Sequence, residues 1–151
     1  MIAKRQTFDI TDINDLTQWV NSAQTYFLGK VIYLTGDLGS GKTTFAQQWL
    51  RSLGVRGAIT SPTYTIANEY SLEDGQRAIH ADLYRIHDPE ELIYLDVRDW
   101  TENSAIILIE WPEIGEGLLP PADAHVHLSL EGERRYLVWQ EACSASVIEK
   151  D

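Results

Sequence analysis

The sequence predicts a single α/β domain with a mostly parallel central sheet, flanking helices and a C-terminal antiparallel hairpin. Three observations predict it. Val31-Ile32-Tyr33-Leu34 and Ala105-Ile106-Ile107-Leu108-Ile109 are continuous apolar runs, as strands buried on both faces require. A Gly-rich loop joins the first run to an amphipathic helix. Residues 125–130 and 136–139 alternate around Glu131-Gly132-Glu133, the pattern of an antiparallel pair. At 151 residues and 44% hydrophobic content, one domain can bury roughly two-thirds of its unfolded surface. No repeat or Pro/Ser-rich linker divides residues 1–151, and residues 143–151 carry no pattern and read as a loose tail.

The elements follow in order. Residues 7–10 read as a short strand, with Thr11 or Asp12 as the N-cap of a helix. Ile13, Leu16, Val20, Ala23 and Phe27 recur at three- and four-residue steps, and Gly29 ends that helix. After the 31–34 strand and the Gly-rich loop, Phe45, Trp49, Leu50 and Leu53 mark a second helix that stops at Gly54. Residues 57–63 form a loop, extended at Ser61 by the proline that follows. Residues 66–72 and 77–83 read as two strands turned at Asp74-Gly75. Asp88-Pro89-Glu90-Glu91-Leu92 starts a helix, with Asp as cap, Pro at the first position and acids in the first turn.

Charge and composition narrow the function. Twelve Lys+Arg against 23 Asp+Glu give a net charge of −11, which argues against direct binding to a nucleic-acid backbone. A single cysteine, Cys143, excludes a disulfide framework and a multi-cysteine metal site; with no basic neighbour close in sequence, it has no catalytic role. Polar residues interrupt the segment after Lys4-Arg5, so no secretory signal is read, and no apolar run approaches the roughly 18 residues needed to span a bilayer. The expected setting is the reducing cytoplasm, away from the membrane.

Gly36-Asp37-Leu38-Gly39-Ser40-Gly41-Lys42-Thr43 fits G-x-x-x-x-G-K-[ST] without a mismatch. Glycines let the backbone curl so that N–H groups point at phosphate oxygens, Lys42 reaches the β- and γ-phosphates, and the Thr43 hydroxyl ligates Mg²⁺. The following helix adds its positive N-terminal end, and Thr44 is counted with the loop among the cofactor-binding residues. The pattern arises by chance in roughly 0.5% of random chains of this length. Its place between a buried strand and an amphipathic helix reads as a P-loop NTPase domain rather than a Gly-rich turn with an exposed lysine. Such a site needs a second acid for Mg²⁺. Glu110, ending the uniformly apolar run, is the better choice; Asp82, ending a less apolar segment, is then free to orient a water.

Weaker features are open to two readings. Ser61-Pro62-Thr63-Tyr64-Thr65 is either a γ-phosphate-sensing segment or a plain turn. Trp111-Pro112 is either a flat wall for a base or ordinary packing. His80, His87, His125 and His127 have no convincing metal-ligand spacing.

Four ordered segments carry a resemblance that spans about residues 8–139. They are the 36–44 loop, Ser61-Pro62-Thr63-Tyr64-Thr65, His80-Ala81-Asp82-Leu83-Tyr84-Arg85 and Ile109-Glu110-Trp111-Pro112-Glu113. In these the chain resembles the TsaE family, the small ATPases of bacterial threonylcarbamoyladenosine tRNA modification. The resemblance implies a P-loop domain that binds ATP and Mg²⁺ and hydrolyses ATP slowly when alone. It implies that Lys42 contacts the phosphates, that Thr43 and Glu110 sit at Mg²⁺, and that Asp82 activates or orients the attacking water. The 61–65 loop corresponds to the switch-like segment, with Thr65 counted among the catalytic residues, and Trp111 lies close to the nucleotide. An arginine after a glycine in the C-terminal hairpin is expected there too. Arg134 is the first choice and Arg135 stays open, because Glu133 is inserted after Gly132. In the N-terminal region Thr11 is the first choice for the adenine side, with Thr17 a loose alternative. The implied partners are TsaD and TsaB, whose complex is reset between turnovers at the expense of ATP.

Two other readings compete. Small-molecule P-loop kinases have similar size, but beyond Arg85 and Arg98 no Arg-rich lid is visible. A nucleotide-dependent scaffold would use ATP for assembly alone. A GTPase lacks support, since no Asn-Lys-x-Asp or Thr-Lys-x-Asp motif occurs.

Overall fold

The structure, a computed structural model, describes residues 5–24, 29–37, 39–60, 62, 65–95, 97–102 and 104–142, with Arg98 described by its backbone alone. Phe27, Leu38, Ser61, Thr63, Tyr64 and the 143–151 tail with Cys143 lie outside the described residues.

Strand β1 (Arg5–Asp9) leads into helix α1 (Ile13–Ala23), and β2 (Lys30–Thr35) leads through the Gly-rich loop into α2 (Lys42–Ser52). Strands β3 (Ala67–Ser71), β4 (Arg77–Asp82), β5 (Ser104–Glu110), β6 (Ala124–Glu131) and β7 (Arg134–Glu141) complete the described set. They form one sheet in the order β1-β7-β6-β2-β5-β4-β3. The expected α/β class and both hairpins are present, but the sheet is less parallel than the sequence suggests. Strands β6, β2, β5 and β4 run parallel at its centre. The other three pairings are antiparallel, because each flank is closed by a hairpin and β1 joins the outer strand of one.

The apolar runs explain the centre. All of β5 is buried, and its side chains alternate between two cores: Ile106 and Leu108 face one, Ile107 and Ile109 the other. On the first face α1 and α2 pack through Trp19, Phe45 and Trp49, whose rings lie 5.6–5.9 Å apart centroid to centroid. The second face is covered by short 3₁₀ segments, Pro89–Leu95 and Val97–Thr101, which bring Leu92, Val97 and Trp100 onto Ile79 and Ile107.

One local expectation changes. The segment after Asp88 keeps its predicted cap, since Asp88 Oδ1 accepts from Glu90 N–H and Glu91 Oε2 from Asp88 N–H at 3.0 Å. It winds as a 3₁₀ helix, which places Leu92 and Leu95 in line at three residues per turn against the sheet. Helix α1 is described over Ile13–Ala23, with the expected Phe27 outside the described residues, and of its two candidate caps Asp12 is the one used, accepting from Asn14 N–H. The Asp74-Gly75 turn is as expected, with Gly75 at φ +85° and Asp74 Oδ1 accepting from Gln76 N–H.

Candidate functional site

A cleft of about 430 Å³ opens where β2, β4 and β5 end at their C-terminal edge, within the size range of ligand sites. The Gly-rich loop forms one wall, with Gly39, Gly41, Lys42, Thr43 and Thr44 on it. Asp82, Glu110, Trp111 and Arg135 line the rest, together with Tyr84 and Arg85.

Glycine is required at the base of that loop. Gly36 has φ +141°, and a Cβ there would meet Leu128 O at 2.4 Å and Ser40 Oγ at 2.6 Å. Lys42 opens α2 and is buried; its Nζ donates to Gly36 O and Asp37 O and sits 4.6 Å from the Trp111 ring centroid. Trp111 has φ 56° and ψ 50°, a left-handed conformation that costs a non-glycine residue about 1–2 kcal/mol. Its ring also lies 5.0 Å from that of Tyr84, so it forms a wall of the cleft while packing against the loop after β4.

Both candidate acids end paired strands: Asp82 and Glu110 are register partners on β4 and β5. By strand alternation they share the α1/α2 face with His80. Glu110 is 2% exposed and its Oε2 accepts from His80 Nε2 at 2.6 Å. Asp82 Oδ1 accepts from Tyr84 N–H at 3.0 Å. Burial pushes the Asp82 carboxyl above its ordinary value and the neighbouring Glu110 charge adds to this, while the Tyr84 N–H, His80 and Lys42 act the other way.

The donor set fits Mg²⁺ with a phosphate chain. The Thr43 hydroxyl and Glu110 carboxylate are hard oxygen donors bordering one cleft. Among the described residues no group of three or more His, Cys, Asp or Glu is arranged to hold a metal, so a cation here would depend on phosphate oxygens as well.

The remaining sequence-predicted residues divide. Arg134 points away from the cleft, its Nη1 bonded to Asp9 Oδ2 at 2.9 Å. Arg135, the other open choice, donates from Nη1 to Ser40 O at 3.2 Å and lines the cleft. Alternate residues of β7 face opposite sides of the sheet, so the register Glu131↔Arg134 turns Arg135, the alternative, toward the cleft and Arg134, the first choice, away from it. Thr11 accepts from Arg135 N–H and borders an adjoining pocket of about 230 Å³ with Ile13, Leu16, Ser40, Gly41 and Thr44. Thr17 bonds Gln48 instead and is not among the pocket's residues. Thr65 is exposed, its hydroxyl donating to Asn68 Oδ1 at 2.7 Å, and it does not line the cleft. Two residues were given no role by spacing. Tyr84 enters through its ring contact, and His80 emerges only when the β4–β5 register is known.

Comparison with known proteins agrees with this architecture. The family model described as "Threonylcarbamoyl adenosine biosynthesis protein TsaE" matches residues 9–137. A Haemophilus influenzae protein named tRNA threonylcarbamoyladenosine biosynthesis protein TsaE is 45% identical over 105 residues, 70% of this chain and 66% of that protein. A Synechocystis protein of the same name is 41% identical over 110 residues, 70% of this chain and 69% of that one. The matches thus span about two-thirds of these relatives' lengths. The crystal structure of Bacillus subtilis YdiB superposes with a TM-score of 0.72 at 24% identity, over 95% of this chain and 89% of that one, and shares the fold.

Proposed function

This chain belongs to the TsaE family, and on that premise we propose that it is a Mg²⁺-dependent ATPase serving threonylcarbamoyl modification of the tRNA adenosine next to the anticodon. It acts there as an accessory of the TsaD–TsaB complex. The observation that carries the reading is the cleft itself: a Gly-rich loop with its lysine faces two buried carboxylates at the ends of neighbouring parallel strands.

Each side chain has a task. The loop's N–H groups and Lys42 cradle and neutralise the phosphates, and Arg135 adds a second positive charge on the hairpin side. Thr43 and Glu110 would hold Mg²⁺, which when bound neutralises charge on the β- and γ-phosphate oxygens. Asp82 orients the attacking water. The water oxygen bonds to the γ-phosphorus as the bond to the β-phosphate bridging oxygen breaks, the water's proton passes to a phosphate oxygen and on to solvent, and ADP and phosphate leave. Ile13 and Leu16, beside Thr11, offer an apolar seat for the base. The switch-like role belongs to residues 61–65; the residue that follows them, Ile66, accepts from Asp82 N–H through its carbonyl at 2.7 Å. The chain itself carries no basic groove for tRNA at a net charge of −11, so the partners supply that contact.

Phosphate release from ATP, measured with and without TsaD and TsaB, tests the proposal. Slow release by the chain alone, altered by the partners and lost in Lys42→Ala, is expected. Release in neither condition leaves a nucleotide-dependent scaffold, and transfer of the phosphoryl group to a small acceptor makes the protein a kinase.

A further inference from the structure

His80 is wholly buried on β4, on a face otherwise built from side chains such as Ala78, Ile106 and Leu108. An apolar residue would fill that position without desolvating an imidazole. The imidazole makes one side-chain hydrogen bond, Nε2 to Glu110 Oε2 at 2.6 Å, and its Nδ1 has no partner among the described residues. One ring nitrogen is thus left unsatisfied while the other is committed to one carboxylate oxygen. Glu110 lies beside Asp82 in register, so two carboxylates meet at the strand ends and only one of them, Glu110, is bonded to the imidazole.

We infer that His80 is a positioning residue that clamps the Glu110 carboxylate from beneath, so that its remaining oxygen is presented to the cleft opposite Thr43. The inference rests on the proposed reading of Glu110 as a Mg²⁺ ligand. Glu110 has three side-chain torsions ahead of its carboxylate, and a bond from a rigid ring on the neighbouring strand removes that freedom before any cation arrives. The pairing is diagonal across β4 and β5: Leu108 is the register partner of His80, and Glu110 stands two residues further along. A donor at the distance of Nε2 from the backbone is needed. Gln places an amide nitrogen near that position, whereas Asn ends short of it and Leu has no donor.

The test is the affinity of the full chain for a fluorescent ADP analogue, measured in excess Mg²⁺ and in EDTA, with folding checked by thermal melting. His80→Leu and His80→Asn should lose about ten- to hundred-fold of the Mg²⁺-dependent gain in affinity and keep the EDTA affinity. His80→Gln should retain most of the gain. Glu110→Gln serves as reference and should lose the gain as well. If His80→Leu or His80→Asn keeps the full gain while Glu110→Gln loses it, the clamp is wrong and the Glu110 reading stands. The clamp is equally wrong if His80→Gln is as impaired as His80→Leu. If Glu110→Gln keeps the gain, the ligand assignment falls and takes the clamp with it.

Discussion

Asp82 is buried next to a second carboxylate, a placement that burdens the fold. Its value is raised above the ordinary 3.8, mainly by burial, so the folded chain holds this proton more tightly than the unfolded chain does. Stability falls as pH rises from the unfolded value to the raised folded one, and above it the penalty is complete. Asp82→Asn is therefore expected to raise Tm at pH 7, by roughly 2–4 °C for each kcal/mol relieved, with the gain shrinking below pH ~4. The same variant should bind ATP yet lose about 10²–10⁴-fold in turnover. Paired melting curves at the two pH values and phosphate release decide it; a lower Tm at neutral pH or unchanged turnover refutes the assignment. That the Gly-rich loop and the two strand-end acids border one cleft was legible, because each follows an apolar strand run that ends at the same edge of the sheet. The His80–Glu110 bond was not, since it depends on a register no local pattern encodes.

The hairpin β6–β7 shows what an element adds to its residues. Two adjacent arginines have the same chemistry, and only the turn decides which one faces the cleft. Gly132, at φ 65°, turns the chain so that Glu131 pairs Arg134, which sends Arg134 to Asp9 and Arg135 to the Ser40 carbonyl. Arg135→Ala should weaken ATP binding about tenfold, the scale of one charge-assisted hydrogen bond. Arg134→Ala removes an exposed ion pair and should leave affinity within about twofold. Titration of both variants with labelled nucleotide checks this, and a larger loss from Arg134→Ala would reverse the geometry. Strands with uninterrupted apolar runs and hairpins with local turns were readable from the sequence. The 3₁₀ winding after Pro89 was not, because caps announce where a helix begins and packing decides how tightly it turns.

For the molecule as a whole, charge and topology are the governing features. A net charge of −11 predicts that the chain alone leaves tRNA mobility unchanged in a gel shift at about 150 mM salt, and that a tRNA complex needs TsaD and TsaB. A shift by the isolated chain that fades with salt would overturn this. No helix among the described residues is long and apolar enough to cross a membrane. The mixed sheet, half parallel and half antiparallel by pairing, lay beyond the sequence because β1 finds its neighbour at the far end of the chain. That pairing has a consequence in time. Strand β2 lacks its sheet partners until residues 106–110 and 124–127 exist, and β1 waits for residues 136–140, whereas β3 and β4 pair locally. At about 5–20 residues per second of synthesis, roughly 5–20 s separate the making of the Gly-rich loop from the arrival of β7. On the ribosome, the Gly-rich loop is therefore made well before the strands that pair with β2 and fix its base.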